Sequence, residues 1–161
     1  MSGTETEEGV VVMVVEDNSG DLYRADLMLR KNGRVADILM ATDGEVALAQ
    51  LRKRHHNGEK MPSLILLDLG LPRMSGFEFL SALEEAYPPG TTRVVVLTGS
   101  SSEPDRSRSL SYRDVVDFVE KPILPRDIDN HLTPVPASEP PALLGDRLAS
   151  VDAASKASSA S

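Results

Sequence analysis

Short apolar runs, each of strand length and each ending at a polar residue, constrain the fold of this 161-residue chain more than any other feature. Four of them begin at Val10, Leu64, Val94 and Val115. The first three are uninterrupted, which is typical of strands that are buried on both faces, as in a parallel sheet, whereas Asp117 interrupts the fourth. Residues 34–40 form a weaker strand candidate between the first two runs. The pattern therefore predicts five strands.

The segments between the runs predict helices, because their apolar residues recur at helical spacing. The first helix spans residues 20–31, the second spans 43–54 with Asp43 as a possible cap, and the third spans 76–86 with Ser75 as its cap. A fourth within 104–111 has a thin apolar stripe, and we expect it to be short, mobile or irregular. A fifth over 126–132 is cut short by Pro134 and Pro136. The residues expected to face the sheet are Leu22, Ala25, Met28 and Leu29 in the first helix, Ala47, Leu48 and Leu51 in the second, and Phe77, Leu80 and Leu83 in the third. Strands that alternate with helices predict an α/β fold with right-handed crossovers and a parallel sheet.

Composition excludes several classes of function. The chain has no cysteine, which rules out disulfides, Cys-based zinc sites and thiol catalysis. Its net charge of −8 argues against nonspecific binding to nucleic acid or to anionic membranes. No apolar run approaches the about 20 residues that span a bilayer, and the acidic start does not resemble a signal peptide. We therefore expect a cytoplasmic protein.

Both ends of the chain differ from its centre. Residues 1–8 are acidic and polar, and we expect a flexible leader there. Residues 134–161 are rich in Pro, Ala and Ser, and such a segment buries too little apolar area to offset its ordering entropy. We expect this tail to be mostly disordered, although residues 142–151 could form a short amphipathic helix. The predicted domain is 9–133.

The chemistry lies where the strands end. The pair Glu16-Asp17, then Asp68, Thr98 and Lys121, each stand at the carboxyl end of an apolar run. In an open parallel sheet these ends converge on one crevice. Carboxylates brought together there repel each other, and a bound Mg2+ would relieve the repulsion because it prefers oxygen ligands.

Asp68 is then a plausible nucleophile, since carboxylates can accept phosphoryl groups. A phosphorylated Asp68 with Glu16 and Asp17 would carry about −4, and Mg2+ with Lys121 would supply about +3, which leaves the site near −1. Thr98 offers a hydroxyl to a phosphate oxygen. Gly99 beside it lets the backbone and the substrate approach closely.

Five stretches in order give a specific resemblance: VVEDN (14–18), ATDGEVAL (41–48), LILLDLGLPRMSG (64–76), VVVLTG (94–99) and DFVEKPI (117–123). The chain resembles the response-regulator receiver family, the group that includes the chemotaxis protein CheY. The resemblance runs from about residue 10 to residue 133. It implies a flavodoxin-like, doubly wound sheet of five parallel strands in the order 2-1-3-4-5.

The resemblance also implies roles for single residues. Asp68 would be the phospho-acceptor, Asp17 would bind Mg2+ directly, Glu16 would bind it through water, and the backbone carbonyl of Gly70 would be a further ligand. The phosphate would contact Lys121, with Pro122 after it in a cis peptide bond. The switch would couple Thr98, which moves toward phosphate, to Phe118, which turns inward. Gly70 replaces a larger side chain that is common in the family, which bears on phosphoryl lifetime.

The resemblance is greatest to small single-domain receivers that pair with bacterial phytochromes and other histidine kinases. It implies a histidine kinase, phytochrome-type among them, or a phosphotransfer protein as partner, and a switch rather than an enzyme. A homodimer is also possible, but the short fifth helix argues against dimerisation through that helix.

Two other functions remain open. A phosphatase of the haloacid-dehalogenase type also uses an aspartate at a strand end, but it needs a second aspartate where this chain has Gly70. An interaction module that works without phosphorylation would need only the fold. Each site residue alone also has an ordinary structural interpretation, and Phe118 could simply be core. We interpret His55, His56 and His131 as surface residues.

Overall fold

The apolar runs form one parallel sheet of five strands in the order β2-β1-β3-β4-β5, which confirms the predicted flavodoxin-like fold. A computed structural model describes residues 9–99 and 102–133. The leader 1–8 and the tail 134–161, with its candidate helix at 142–151, lie outside the described residues. The elements are β1 (Val10–Val15), α1 (Ser19–Arg30), β2 (Val35–Ala41), α2 (Gly44–His56), β3 (Leu64–Asp68), α3 (Gly76–Ala86), β4 (Arg93–Thr98), α4 (Glu103–Leu110), β5 (Val115–Glu120) and α5 (Pro125–Asp129).

Helices cover both faces of the three central strands, β1, β3 and β4, which is why these strands read as continuous apolar runs. Alternate residues of β1 enter opposite cores, with Met13 in one and Val14 in the other. One core packs the sheet against α2 and α3, and the other packs it against α1 and α5. The edge strand β2 is only partly buried, in keeping with its weaker sequence pattern.

The helices begin where side chains cap them. Asn18, Asp43 and Ser75 each accept a hydrogen bond from a backbone N–H in the first turn of α1, α2 and α3. Ser75 and Glu78 form a reciprocal capping box, which satisfies two N–H groups that the helix itself cannot. These caps fix the point at which each helix leaves the carboxyl edge of the sheet.

Two details of the sequence prediction were wrong. The fifth helix ends at Asp129 rather than at residue 132, although Leu132 is buried beyond it. In α3 the aromatic ring buried in the core is Phe79, which was not predicted, whereas Phe77 is only partly buried. The fourth helix is short, as expected, and is a regular α-helix of eight residues. None of the described helices has both the length and the apolar character that a membrane crossing requires.

Candidate functional site

Three carboxylates meet at the carboxyl edge of the sheet. Glu16 and Asp17 follow β1, and Asp68 is the last residue of the neighbouring strand β3. Each offers an oxygen atom, and these atoms lie within 4.8 Å of one another. Glu16 is 1% exposed and Asp68 is 8% exposed, whereas Asp17 faces solvent.

The ligand atoms of this cluster are suited to a hard divalent cation. All three side chains supply carboxylate oxygens, which Mg2+ prefers, and the exposed Asp17 leaves room for the water ligands that Mg2+ retains. Two of the carboxylates also accept hydrogen bonds from backbone N–H groups. Asn18 N donates to Glu16 Oε2 at 3.0 Å, and Gly70 N donates to Asp68 Oδ1 at 3.3 Å.

Lys121 brings the positive charge to this cluster. Its Nζ lies 2.8 Å from Glu16 Oε1, 2.9 Å from Asp21 Oδ2 and 3.6 Å from Asp68 Oδ1. Its own backbone N–H donates to the carbonyl of Thr98 at 2.7 Å, which ties the end of β5 to the end of β4. The sequence-predicted carboxylates and the lysine therefore lie together at one edge of the sheet.

The other predicted residues lie around this centre. Thr98 is buried at the end of β4, and Gly99 follows it at an exposed position with open space where a side chain would be. Gly70 lies in the loop after β3, also with open space beside it. Phe118 is buried in β5 and paired with Val96 of β4. The Lys121–Pro122 peptide bond is cis.

The histidines lie away from the carboxylate cluster. His55 and His56 are near the exposed end of α2, and the ring of His55 packs edge-on against Tyr87. His131 is partly buried, and its Nε2 lies 3.5 Å from Asp117. None of the three belongs to the metal-capable group found among the described residues.

Comparison with known proteins decides the family. The family model described as the response regulator receiver domain matches residues 12–133. The chain belongs to the response regulator receiver family.

Individual relatives of this receiver domain agree with that assignment. A probable methanogenesis regulatory protein, FilR2 of Methanothrix harundinacea, is 32% identical over 124 residues, covering 77% of this chain and 79% of FilR2. The response regulator Rcp1 of Synechocystis is 31% identical over 102 residues, covering 63% of this chain and 69% of Rcp1.

Solved structures are similar as well. The manganese-bound form of Rcp1 has a TM-score of 0.60 at 28% identity and covers 74% of this chain and 86% of its own. The phosphorylated cyanobacterial phytochrome response regulator RcpA has a TM-score of 0.63 at 29% identity, with the same coverage of 74% and 86%. The receiver domain also matches about half the length of larger regulators, such as 47% of the phosphate regulon regulator PhoB of Escherichia coli.

The electrostatics of this receiver domain favour a charged lysine beside the carboxylates. Burial alone would lower the pKa of Lys121, but hydrogen bonds to Glu16 and Asp21 and the charge of Asp68 outweigh it, so the pKa lies above its ordinary value. Burial raises the pKa of the Glu16 carboxyl, while Lys121 and the N–H of Asn18 oppose that shift. Lys121 thus partly neutralises a buried carboxylate that would otherwise favour its protonated form.

Sequence reasoning missed two residues that shape the site. Asp21, in the first turn of α1, binds Lys121, which is 100 positions away in the sequence. Arg73, in the loop after β3, pairs with Asp43 at the start of α2. An acidic residue in a first helical turn is common because it suits the helix dipole, so the sequence offered no signal that Asp21 has a distant partner.

Proposed function

We propose that this receiver domain, residues 9–133, is a phosphorylation switch that accepts a phosphoryl group on Asp68 and signals through changed protein contacts. One observation carries the proposal. Asp68 ends β3 beside two further carboxylates, with the Lys121 ammonium 3.6 Å from its Oδ1. A nucleophile, a cation site and a fixed positive charge therefore share one crevice.

The transfer needs few groups. An Asp68 carboxylate oxygen attacks the phosphorus of the donor, the new O–P bond forms, and the bond from phosphorus to the donor's leaving atom breaks. Mg2+, held by Glu16, Asp17, Asp68 and the Gly70 carbonyl, would supply charge neutralisation for the phosphoryl oxygens. The part left to the protein is mainly positioning and electrostatic stabilisation, as is general for phosphoryl transfer. The manganese in the Rcp1 structure supports a divalent cation here.

Lys121, Thr98 and Gly99 would surround the phosphoryl group once it is bound to Asp68. The Lys121 Nζ lies 3.6 Å from Asp68 Oδ1, and Thr98 is buried at the end of the neighbouring strand β4. Gly99, the next residue, has open space where a side chain would be. Because Thr98 pairs with Glu120 in the sheet, a shift of Thr98 would reach β5 and Phe118. We propose that this route changes the surface formed by α4 and β5.

The proposed phosphodonor is a histidine kinase or a phosphotransfer protein in the cytoplasm. Phosphorylated RcpA, a phytochrome response regulator, is similar at 29% identity, and this favours a phytochrome-type kinase. A phosphotransfer time course against candidate kinases would test the partner. A kinase of another type that transfers faster would replace this part of the proposal.

The function itself is tested with a small acyl-phosphate or phosphoramidate donor in the presence of Mg2+. We expect the intact protein to gain the mass of one phosphoryl group, labile to hydroxylamine as an acyl phosphate should be. Asp68→Asn should gain none, whereas Asp37→Asn, at an exposed position on β2, should gain it as the wild type does. A phosphoryl gain that persists in Asp68→Asn would refute the assignment of the acceptor.

A second measurement separates the switch from an interaction module that ignores phosphorylation. Partner binding is compared with and without the donor, in the wild type and in Asp68→Asn. A donor effect on binding that Asp68→Asn abolishes supports the switch. Identical binding in all four conditions would favour the module.

A further inference from the structure

Asp21 is a fourth carboxylate at the crevice, outside the group of three that can hold a metal. It lies in the first turn of α1, where its backbone N–H donates to the Asn18 side chain at 2.9 Å. Its side chain is free for other contacts because Asn18, not Asp21, caps the helix. That side chain reaches Lys121 Nζ at 2.9 Å and is 35% exposed.

Lys121 has three carboxylate neighbours, Glu16, Asp21 and Asp68, and they are not equivalent partners. An ammonium group has three N–H donors. Glu16 and Asp21 lie at 2.8 and 2.9 Å, within hydrogen-bond distance, whereas Asp68 lies at 3.6 Å. The ammonium is therefore held on the α1 side of the crevice and interacts with Asp68 mainly through charge.

Asp21 would share the N–H donors of Lys121 with any acceptor group bound at Asp68. Asp21, Lys121 and Pro122 line a narrow hollow between α1 and the loop after β5. A group bound at Asp68 that offers oxygen or fluoride acceptors would compete with Asp21 for the same N–H donors. Breaking the contact with Asp21 is then part of the cost of engaging such a group.

We propose that Asp21 is a positioning residue that holds the Lys121 ammonium back from Asp68 and so weakens the binding of a phosphoryl group there. The inference rests on the proposed function, because it assigns Lys121 to that group. Removing the carboxylate of Asp21 leaves Glu16 and Asp68 as the anionic partners of Lys121. The ammonium should then shift toward Asp68 and bind a phosphoryl group more readily.

The test uses beryllofluoride, a phosphoryl mimic, titrated into the full-length protein at saturating Mg2+ and followed by calorimetry or fluorine NMR. We expect Asp21→Asn to bind it about two- to five-fold tighter, the range for breaking a partly exposed ion pair. Unchanged or weaker binding in Asp21→Asn would overturn the inference.

Two controls separate positioning from a plain change in charge. Asp26→Asn also removes an acidic group from α1, but Asp26 pairs with Arg30 and not with Lys121. It should leave beryllofluoride affinity unchanged. In a Lys121→Met background the effect of Asp21→Asn should disappear, because the effect acts through the lysine. An equal gain in Asp26→Asn, or a gain that survives without Lys121, would contradict the inference.

Failure of the inference can be distinguished from failure of the proposed function. If the wild type takes up neither beryllofluoride nor a phosphoryl group, the function is wrong. If the wild type takes up both and Asp21→Asn matches it, only the role of Asp21 is wrong. Asp21→Asn keeps the Asn18 cap, and a circular dichroism melt equal to the wild type would show that the variant is folded.

Discussion

Arg73, in the loop that follows β3, forms an ion pair with Asp43, whose carboxylate also caps α2. Asp43 Oδ1 accepts the backbone N–H of Val46 at 2.8 Å, while its other oxygen meets the guanidinium. Arg73 has a φ of 65°, in the left-handed region that non-glycine residues rarely adopt. The pair thus links the loop behind Asp68 to the start of a second helix.

This link predicts a pH dependence of stability. The hydrogen bond from Val46 and the Arg73 guanidinium hold the pKa of Asp43 below its ordinary value. A carboxyl whose pKa is lower in the folded state stabilises the fold above its unfolded pKa, and that stabilisation is lost as the pH falls through the folded pKa. We expect Asp43→Asn to be less stable than the wild type near pH 7, and the difference to close below about pH 4.

Urea unfolding at a series of pH values would measure this difference. Glu45→Gln is the matched control, because Glu45 is 62% exposed and lies 3.9 Å from Arg73 Nε. It should change stability little at any pH. If the free energy of unfolding of Asp43→Asn stayed below that of the wild type by a constant amount from pH 7 to strongly acidic pH, the role given to the Asp43 charge would be wrong.

The sheet and the residues at its edge could be predicted because both depend on local patterns. Continuous apolar runs mark doubly covered strands, and the ends of parallel strands must share an edge. Asp17, Asp68 and Lys121 could be predicted to lie together because each of them stands at or just after the carboxyl end of its strand.

Contacts between side chains of distant elements could not be predicted in the same way. Asp21–Lys121 and Arg73–Asp43 depend on rotamers and on how a loop folds back, which no period in the sequence encodes. The burial of Phe79 rather than Phe77 depends on the rotation of α3 about its axis. A face built on i, i+3 and i, i+4 spacing leaves that rotation uncertain by about one residue.

The two phenylalanines of α3 should therefore differ in their contribution to stability. Phe79 is fully buried, and Phe79→Ala should lower the free energy of unfolding by about 3–5 kcal/mol. Phe77 is partly buried, stacks on Tyr112 and lies under the Arg108 guanidinium at 3.9 Å from its ring centroid. Phe77→Ala should cost about 1–2 kcal/mol. Denaturant unfolding of both variants measures the difference, and equal losses would refute the assigned orientation of α3.

Gly76, the first residue of α3, should not tolerate a side chain. A Cβ there would lie 2.8 Å from Leu69 Cα and 3.1 Å from the carbonyl oxygen of Asp68, and neither backbone atom can move away cheaply. We expect Gly76→Ala to cost about 1–3 kcal/mol, as overpacking does, and to slow phosphorylation because it displaces the loop beside Asp68. Gly33→Ala is the control, since nothing lies within 4 Å of the added Cβ. A Gly76→Ala protein with wild-type stability and phosphorylation rate would contradict this prediction, because it would show that the loop after β3 can shift to accommodate the added methyl group.

Mg2+ should stabilise the fold through Asp17. Without a cation, Glu16, Asp17 and Asp68 hold oxygens within 4.8 Å of one another, and like charges at that distance repel. A ligand that binds only the folded state at ten times its dissociation constant adds about 1.4 kcal/mol to the free energy of unfolding. Asp17→Asn should lose most of this gain and should be more stable than the wild type when Mg2+ is chelated, because one of the repelling charges is gone.

Glu85→Gln, exposed near the far end of α3, should keep the wild-type response to Mg2+. Melting curves with Mg2+ and with chelator distinguish the variants, and an equal Mg2+ response in Asp17→Asn and the wild type would place the cation elsewhere.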